Sequence, residues 1–114
     1  MKRLLIILLM MHSIVCVAQK KIGKDQAQEL LNKKDIQLLD VRTLEEFNNG
    51  FIKGAVHIDY FSNNFLSECL SRLDLNKPVI VYCAAGGRSA KAASLLKKKG
   101  FKTIYDLSGG YESW

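Results

Sequence analysis

The sequence predicts an α/β fold with three layers, in which helices cover both faces of a mostly parallel sheet of about five strands. Apolar runs rich in β-branched residues, typical of buried strands, alternate with segments whose apolar residues recur at helical spacing. Parallel strands need long crossover connections, and these helical segments provide them. No internal repeat, linker or low-complexity segment interrupts the 114 residues, which suits one domain.

The first 18 residues have the form of a secretory signal peptide. A positively charged start precedes an apolar run over residues 4–17, and the small residue Ala18 follows. The run is short for a membrane span of about 20 residues, which disfavours an N-terminal anchor or a buried helix. We therefore predict cleavage after Ala18, a mature domain over residues 19–114, and export to the periplasm or the exterior.

A lipid anchor is a weaker interpretation of the same leader. It would require lipidation of Cys16, and Val15 before it is larger than the small residue such signals usually carry. After cleavage we expect no stable insertion in a membrane.

The net charge of +6 at pH 7 falls to about +4 in the predicted mature domain, where two lysine pairs and one lysine triplet carry the excess. They do not alternate with exposed aromatic residues, so the sequence does not predict a nucleic-acid partner. A mildly basic surface favours anionic substrates instead.

The first predicted elements after the leader are a strand, a helix and a second strand. A short strand is expected around Ile22. A helix capped by Asp25 then continues to about Lys33, with apolar residues at core-facing spacing. Residues 36–42 form an apolar run typical of a strand.

A capping box begins the next helix, because Thr43 is followed three residues later by Glu46. Asn and Gly over residues 48–50 should end this helix. A short strand over residues 55–58 follows, and then a helix over residues 61–73 with apolar residues along one face.

The central strand covers residues 79–82 and follows a turn that holds Pro78, the single proline of the chain. After a loop that begins at Cys83, residues 90–96 are rich in strong helix formers, and Gly100 is a typical C-terminal cap. Residues 102–107 predict a last strand. The remaining residues are a turn and then a helix start or a docked tail.

The loop from Cys83 to Ser89 carries the chemistry. Gly86 and Gly87 permit unusual backbone angles and leave room for a ligand, so the loop amides can point inward as an anion nest. The positive end of the next helix and the Arg88 charge add to this field. Such surroundings lower the pKa of a thiol and produce a nucleophilic thiolate. We predict Cys83 as the nucleophile, with Ser89 capping the helix or hydrogen bonding to a sulfur or an oxyanion.

Two polar residues end the neighbouring predicted strand. Asp40 is interpreted as a structural carboxylate, bonded to a loop or paired with an arginine. Arg42 has two equal interpretations, a surface salt bridge or a role in the pocket. Ligands bind beyond the carboxyl ends of strands in open α/β sheets, so Arg42 and Cys83 are expected at one cleft.

Cys69 lies on the apolar face of the predicted helix over residues 61–73, which favours a buried core residue. A regulatory disulfide between Cys69 and Cys83 is the alternative. His57 is interpreted as structural, and Tyr111 and Trp114 as core or the edge of a lid.

Four stretches together resemble the single-domain rhodanese family of sulfurtransferases, over the chain from about residue 36 to its end. One stretch alone is modest evidence, but the four in this order are specific. They are residues 39–42 with Glu46 and Phe47, residues 50–55, residues 79–89, and residues 107–110 with Trp114.

This resemblance implies a two-step reaction without metal or cofactor. Cys83 would take the outer sulfur of a donor such as thiosulfate and hold it as a persulfide. A thiophilic acceptor, namely cyanide, a thiol or another protein, would then remove the sulfur. The loop amides would stabilise the thiolate and the persulfide, and Arg88 and Arg42 would hold the anionic donor or the departing sulfite. The residues expected at the substrate are Ala84, Ala85, Gly86, Gly87, Arg88, Ser89 and Arg42.

The chain departs from the family pattern at two positions. Ala84 follows the cysteine where many active members have a basic residue, which leaves Arg88 as the loop's one side-chain cation. Phe51 occupies a position that is often histidine, which we interpret as a packing difference.

Three other functions remain open from the sequence. A cysteine phosphatase needs five residues between cysteine and arginine, whereas four separate Cys83 from Arg88. A non-catalytic rhodanese-like module could present the loop to a protein partner. A thiol redox role would suit an oxidising compartment, but no Cys-x-x-Cys pair supports it.

Overall fold

The computed structural model describes residues 18 to 114, so the predicted leader and Cys16 lie outside the described residues, except for Ala18. These residues contain a five-stranded sheet in the order β1-β5-β4-β2-β3, with every neighbouring pair parallel. The predicted fold class is therefore confirmed. The strands are β1 (Ala18–Ile22), β2 (Gln37–Asp40), β3 (Val56–His57), β4 (Val79–Tyr82) and β5 (Thr103–Leu107).

Helices connect successive strands, as parallel pairing requires. They are α1 (Lys24–Leu31), α2 (Leu44–Asn48), α3 (Phe65–Arg72) and α4 (Gly87–Lys98), and a 3-10 helix (Tyr111–Ser113) ends the chain. Within residues 18 to 114, no helix has the length and apolar character needed to cross a bilayer.

Two hydrophobic cores cover the two faces of the sheet. Along β4, Val79 and Val81 face a core completed by α3 and α4, and Cys83 belongs to the same core. Ile80 and Tyr82 face the other core, to which α1 and the C-terminal residues contribute. Successive strand residues point to opposite faces, so this alternation separates the surroundings of Cys83 from those of Tyr82.

Three of the predicted helix starts are wrong, those of α3, α1 and α4. Helix α3 begins at Phe65 rather than at residue 61, because the side chains of Asp59 and Ser62 accept backbone N–H groups in the preceding turns. Such local hydrogen bonds compete with a helix. Phe61, which the apolar spacing predicts on one helical face with Phe65, lies before the helix and is 66% exposed.

Helix α1 is preceded by Gly23 at its N-cap, so Asp25 lies in the first turn and does not cap the helix. The predicted capping box of α2 is confirmed. Thr43 Oγ1 accepts the Glu46 N–H, and the Glu46 carboxylate accepts the Thr43 N–H at 2.9 Å.

Helix α4 starts three residues earlier than predicted and absorbs the end of the loop. Its N-cap is Gly86, whose φ of 130° is open to glycine and strained for other residues. Ser89 thus lies in the first helical turn rather than at the cap. Gly100 follows the helix with a φ of 97°, as its predicted capping role requires.

Candidate active site

The Cys83 thiol lies at the carboxyl end of β4, beneath a loop that leads directly into α4. The residue is 1% exposed, whereas Ala85 and Gly87 are exposed and Ala84 is partly buried. The Gly86 N–H donates a hydrogen bond to Cys83 Sγ at 3.0 Å. The loop therefore folds over the sulfur with its amides directed inward, as the glycines predict.

The balance of burial and hydrogen bonding lowers the pKa of Cys83 below its ordinary value. Burial is the largest single influence and raises the pKa, since it penalises the thiolate. Hydrogen bonds from the Ser89 hydroxyl and from the amides of Ser89, Gly86 and Ala85 act in the opposite direction and outweigh it. A buried thiol is thus converted into a candidate nucleophile by its loop.

Cys69 shows what burial does to a thiol without such a loop. It is fully buried in the core, and burial raises its pKa to about 12. Cys69 and Cys83 are both free thiols. The predicted core role of Cys69 agrees with this placement, and its low reactivity follows from it.

Arg88, the cation of the loop, is bound in a two-pronged ion pair. Its Nη1 and Nη2 donate to the two carboxylate oxygens of Glu46 at 2.7 and 2.9 Å. Hydrogen bonding by Arg88 is the main reason that the pKa of Glu46 falls to about 2. Glu46 thereby links the cap of α2 to the loop that contains Cys83.

Arg42 does not share a cleft with Cys83, which corrects the expectation from strand ends. The side chain of Arg42 lies over the rings of Tyr82 and Tyr111, on the face of the sheet opposite to the core of Cys83. It is 4% exposed, and Nη2 donates to Asp40 Oδ2 at 2.6 Å and to the Gly50 carbonyl at 2.7 Å. Arg42 therefore forms a buried ion pair, which differs from both of its predicted roles, the surface salt bridge and the pocket.

Asp40 is fully buried. Its carboxylate accepts two further hydrogen bonds from Arg42 Nε and one from the backbone N–H of Arg42. Burial is the largest influence on Arg42 and lowers its pKa, but the hydrogen bonds and charge of Asp40 hold that pKa above its ordinary value. Asp40 therefore holds the guanidinium of Arg42 in its charged form. His57 also serves this end of the sheet, since its Nε2 lies 2.7 Å from the Arg42 carbonyl oxygen.

The C-terminal 3-10 helix forms backbone hydrogen bonds with the start of the loop. The N–H groups of Tyr111 and Glu112 donate to the carbonyls of Cys83 and Ala84 at 2.8 and 2.9 Å. Gly110 permits this contact, because a Cβ at that position would overlap both carbonyl oxygens. The docked tail is thus part of the scaffold of the site.

The prediction from sequence missed one charged residue at the site. Asp106 in β5 is 3% exposed, and its Oδ1 accepts a hydrogen bond from Ser89 Oγ at 2.6 Å. The sequence does show a carboxylate within a mainly apolar strand. Asp106 is two residues from Ile104, so both side chains lie on the face of the sheet that holds the core of Cys83.

Sequence comparison places the chain among known proteins. The family model described as Rhodanese-like domain matches residues 23–114. The thiosulfate sulfurtransferase GlpE of Coxiella burnetii is 38% identical over 95 residues, which cover 83% of this chain and 86% of that protein. The protein of the same name from Shewanella oneidensis is 33% identical over 95 residues, which cover 83% and 91%.

Solved structures of rhodanese-like proteins also superimpose on this structure. A rhodanese-like domain protein from Staphylococcus aureus superimposes with a TM-score of 0.72 at 32% identity, covering 83% of this chain and 90% of the other. A rhodanese-related protein from Thermoplasma volcanium gives a TM-score of 0.71 at 33% identity, with coverage of 83% and 89%. Since the family model spans nearly all of the described residues, including the loop over Cys83, this chain belongs to the rhodanese family.

Proposed function

We propose that the protein is a sulfurtransferase that moves a sulfane sulfur from a thiosulfate-like donor, through a persulfide on Cys83, to a thiophilic acceptor. The observation that carries the proposal is the Cys83 sulfur within hydrogen-bonding distance of the Gly86 amide, in a loop that lowers the pKa of the thiol. Membership of the rhodanese family and relatives named thiosulfate sulfurtransferase support it.

In the first step, the Cys83 thiolate attacks the outer sulfur of the donor. A sulfur–sulfur bond forms at the protein while the donor's own sulfur–sulfur bond breaks, and sulfite departs with the electron pair. The persulfide carries its negative charge on the outer sulfur, which the inward-facing loop amides would stabilise, while the Gly86 N–H can still donate to Cys83 Sγ.

In the second step, cyanide or a thiol attacks the outer sulfur of the persulfide. The bond between the two sulfurs breaks, its electron pair returns to Cys83, and the thiolate is restored as the sulfurated acceptor leaves. No redox partner is needed, because the sulfur is transferred without net oxidation of the protein.

Arg88 is proposed to bind the anionic end of the donor. A guanidinium has five N–H donors, and two of its groups are occupied by Glu46, so others remain for the oxygens of the donor. Glu46 offsets part of the positive charge and Ala84 adds none, so we expect modest affinity for a doubly charged donor.

The test is intact-mass spectrometry after incubation with thiosulfate and removal of excess donor. Wild-type protein should gain the mass of one sulfur atom, and Cys83→Ala should gain none. Cys69→Ala is the matched control, because it removes the other described thiol and should gain sulfur like the wild type.

The same measurement tests the binding module, and a second assay tests the phosphatase. Wild-type protein that stays unmodified with a free Cys83 would contradict sulfur transfer and support the binding module. Hydrolysis of an aryl phosphate that is lost in Cys83→Ser would instead support a phosphatase.

We also propose that residues 1–18 are removed on export, so that the enzyme works in the periplasm or outside the cell. The protein recovered from the producing organism should begin at Gln19, as N-terminal sequencing of the native protein would reveal. An intact Met1 on a cytoplasmic protein would contradict this proposal.

A further inference from the structure

One hydroxyl group joins the nucleophile to a buried carboxylate that the proposed reaction does not use. Ser89 Oγ lies 2.6 Å from Asp106 Oδ1, 3.6 Å from Cys83 Sγ and 3.2 Å from the Gly86 carbonyl oxygen. Ser89 and the two groups that it joins are almost completely buried, with exposures of 0%, 3% and 1% for Ser89, Asp106 and Cys83. Water is therefore poorly placed to replace any partner in this chain of contacts.

A serine hydroxyl has one hydrogen to donate. The short contact with Asp106 is the geometry of a charge-assisted hydrogen bond, which is about twice as strong as a neutral one. While Asp106 holds that hydrogen, Ser89 presents only lone pairs to the sulfur. In this arrangement Ser89 accepts a bond from the S–H group of Cys83, which favours the thiol; it lowers the pKa of Cys83 only when its hydrogen turns from Asp106 to the sulfur.

We propose that Asp106 is a positioning residue that restrains the ionisation of Cys83 by holding the hydroxyl hydrogen of Ser89. Cys83 and Asp106 compete for one hydrogen. The loop amides still stabilise the thiolate. Asp106 prevents the Ser89 hydroxyl from adding to that stabilisation.

The charged groups around this pair are few among the described residues. Arg88 on α4 interacts with the Cys83 charge and is itself neutralised by Glu46. On β1, Lys21 is the register partner of Asp106, and its side chain is exposed. On β4 the register partner is Val81, which is apolar. Ser89 is thus the group through which the Asp106 carboxylate reaches the sulfur.

If the proposed function holds, this restraint on Cys83 ionisation affects both steps of sulfur transfer. A thiolate of higher pKa is a stronger nucleophile toward the donor and a poorer leaving group from the persulfide. At a pH above the midpoint of Cys83 ionisation, where most of the thiol is already thiolate, Asp106 should therefore favour loading of Cys83, and it should lengthen the life of the persulfide before an acceptor arrives.

Asp106→Asn tests the proposal, because the amide is isosteric, carries no charge and can donate to Ser89. The freed hydroxyl hydrogen can then turn to the sulfur. The midpoint of the pH dependence of Cys83 alkylation by iodoacetamide should fall by about one pH unit, which is about ten times more thiolate at pH values below the midpoint. Asp35→Asn is the matched control, because it changes the net charge equally at an exposed site and should leave the midpoint in place. An unchanged or raised midpoint in Asp106→Asn would overturn the proposal.

A second variant separates the hydroxyl from simple charge repulsion. In a Ser89→Ala background, Asp106→Asn should lose most of its effect on the midpoint; an undiminished shift would mean that Ser89 is not the link. Alkylation reports the thiol itself and needs no sulfur donor, so its result is independent of whether thiosulfate is the substrate.

A measurement on the unaltered chain covers the case in which the variants do not fold. The ¹³C shift of the Asp106 carboxyl carbon should change at the pH at which the Cys83 Cβ shift changes. A carboxyl signal that stays constant through the ionisation of Cys83 would refute the competition.

Discussion

Replacement of Cys83 by serine should reduce the rate of thiosulfate-dependent thiocyanate formation from cyanide by at least about a thousandfold, as expected for loss of a covalent nucleophile. Serine retains the approximate size of the side chain and can still accept the Gly86 N–H. The hydroxyl cannot supply the reactive anion near neutral pH that the thiol supplies at its lowered pKa. Thiocyanate production measured by its coloured iron complex checks the loss.

The fold and the second thiol provide the controls for this variant. Cys83→Ser should unfold at nearly the wild-type temperature, because neither the backbone contacts of the loop nor its volume changes greatly. Cys69→Ala should keep wild-type activity despite a lower stability, because a core thiol with a pKa of about 12 contributes no nucleophile. Residual activity above one hundredth of wild type in Cys83→Ser would require another sulfur-accepting residue.

The position of the candidate nucleophile could be predicted because it depends on local order along the chain. An apolar strand, a cysteine, two glycines and a helix must place the thiol at a strand end under inward-facing amides. The Gly86 contact to the sulfur and the lowered pKa of Cys83 agree with this local argument. The parallel sheet was predictable for the same kind of reason, since strand and helix patterns alternate.

The neighbours of the loop could not be predicted, because they depend on which faces of distant elements meet. Arg42 and Cys83 both follow strand ends, yet they follow adjacent strands on opposite faces of the sheet. Asp106 reaches Ser89 only because β5 lies beside β4 and Asp106 shares the face of Ile104. Pairing of Arg88 with Glu46 joins residues 42 positions apart, which no local pattern in one sequence reveals.

The start of helix α3 could not be predicted for a different reason. Its apolar spacing already begins at Phe61, but Asp59 and Ser62 satisfy backbone groups in turns and delay the helix to Phe65. Periodicity describes which residues could share a face, while side-chain hydrogen bonds to the backbone decide where the helix begins. The exposed Phe61 follows from that competition rather than from the hydrophobic pattern.

Arg42→Met should lower the free energy of unfolding by about 3–5 kcal/mol, the usual cost of leaving one member of a buried ion pair alone. Asp40 is fully buried, and Arg42 supplies four of the side-chain and backbone hydrogen bonds that satisfy its carboxylate. A domain of this size has a total stability of only about 5–15 kcal/mol, so the melting temperature should fall by more than about 10 °C. Thermal unfolding followed by circular dichroism measures this change.

Three comparisons decide whether Arg42 acts through stability or through substrate binding. Arg72→Met removes an exposed arginine whose pair with Glu68 is worth about 0.5 kcal/mol or less, so it should alter the melting temperature little. Adding Asp40→Asn to Arg42→Met removes the orphaned charge and should restore part of the stability. At a temperature where Arg42→Met remains folded, its KM for thiosulfate should stay within about twofold of wild type, because the guanidinium lies on the other face of the sheet from Cys83. A large rise in KM with little loss of stability would return Arg42 to the donor site, and the ion pair with Asp40 would then be a secondary feature of the fold.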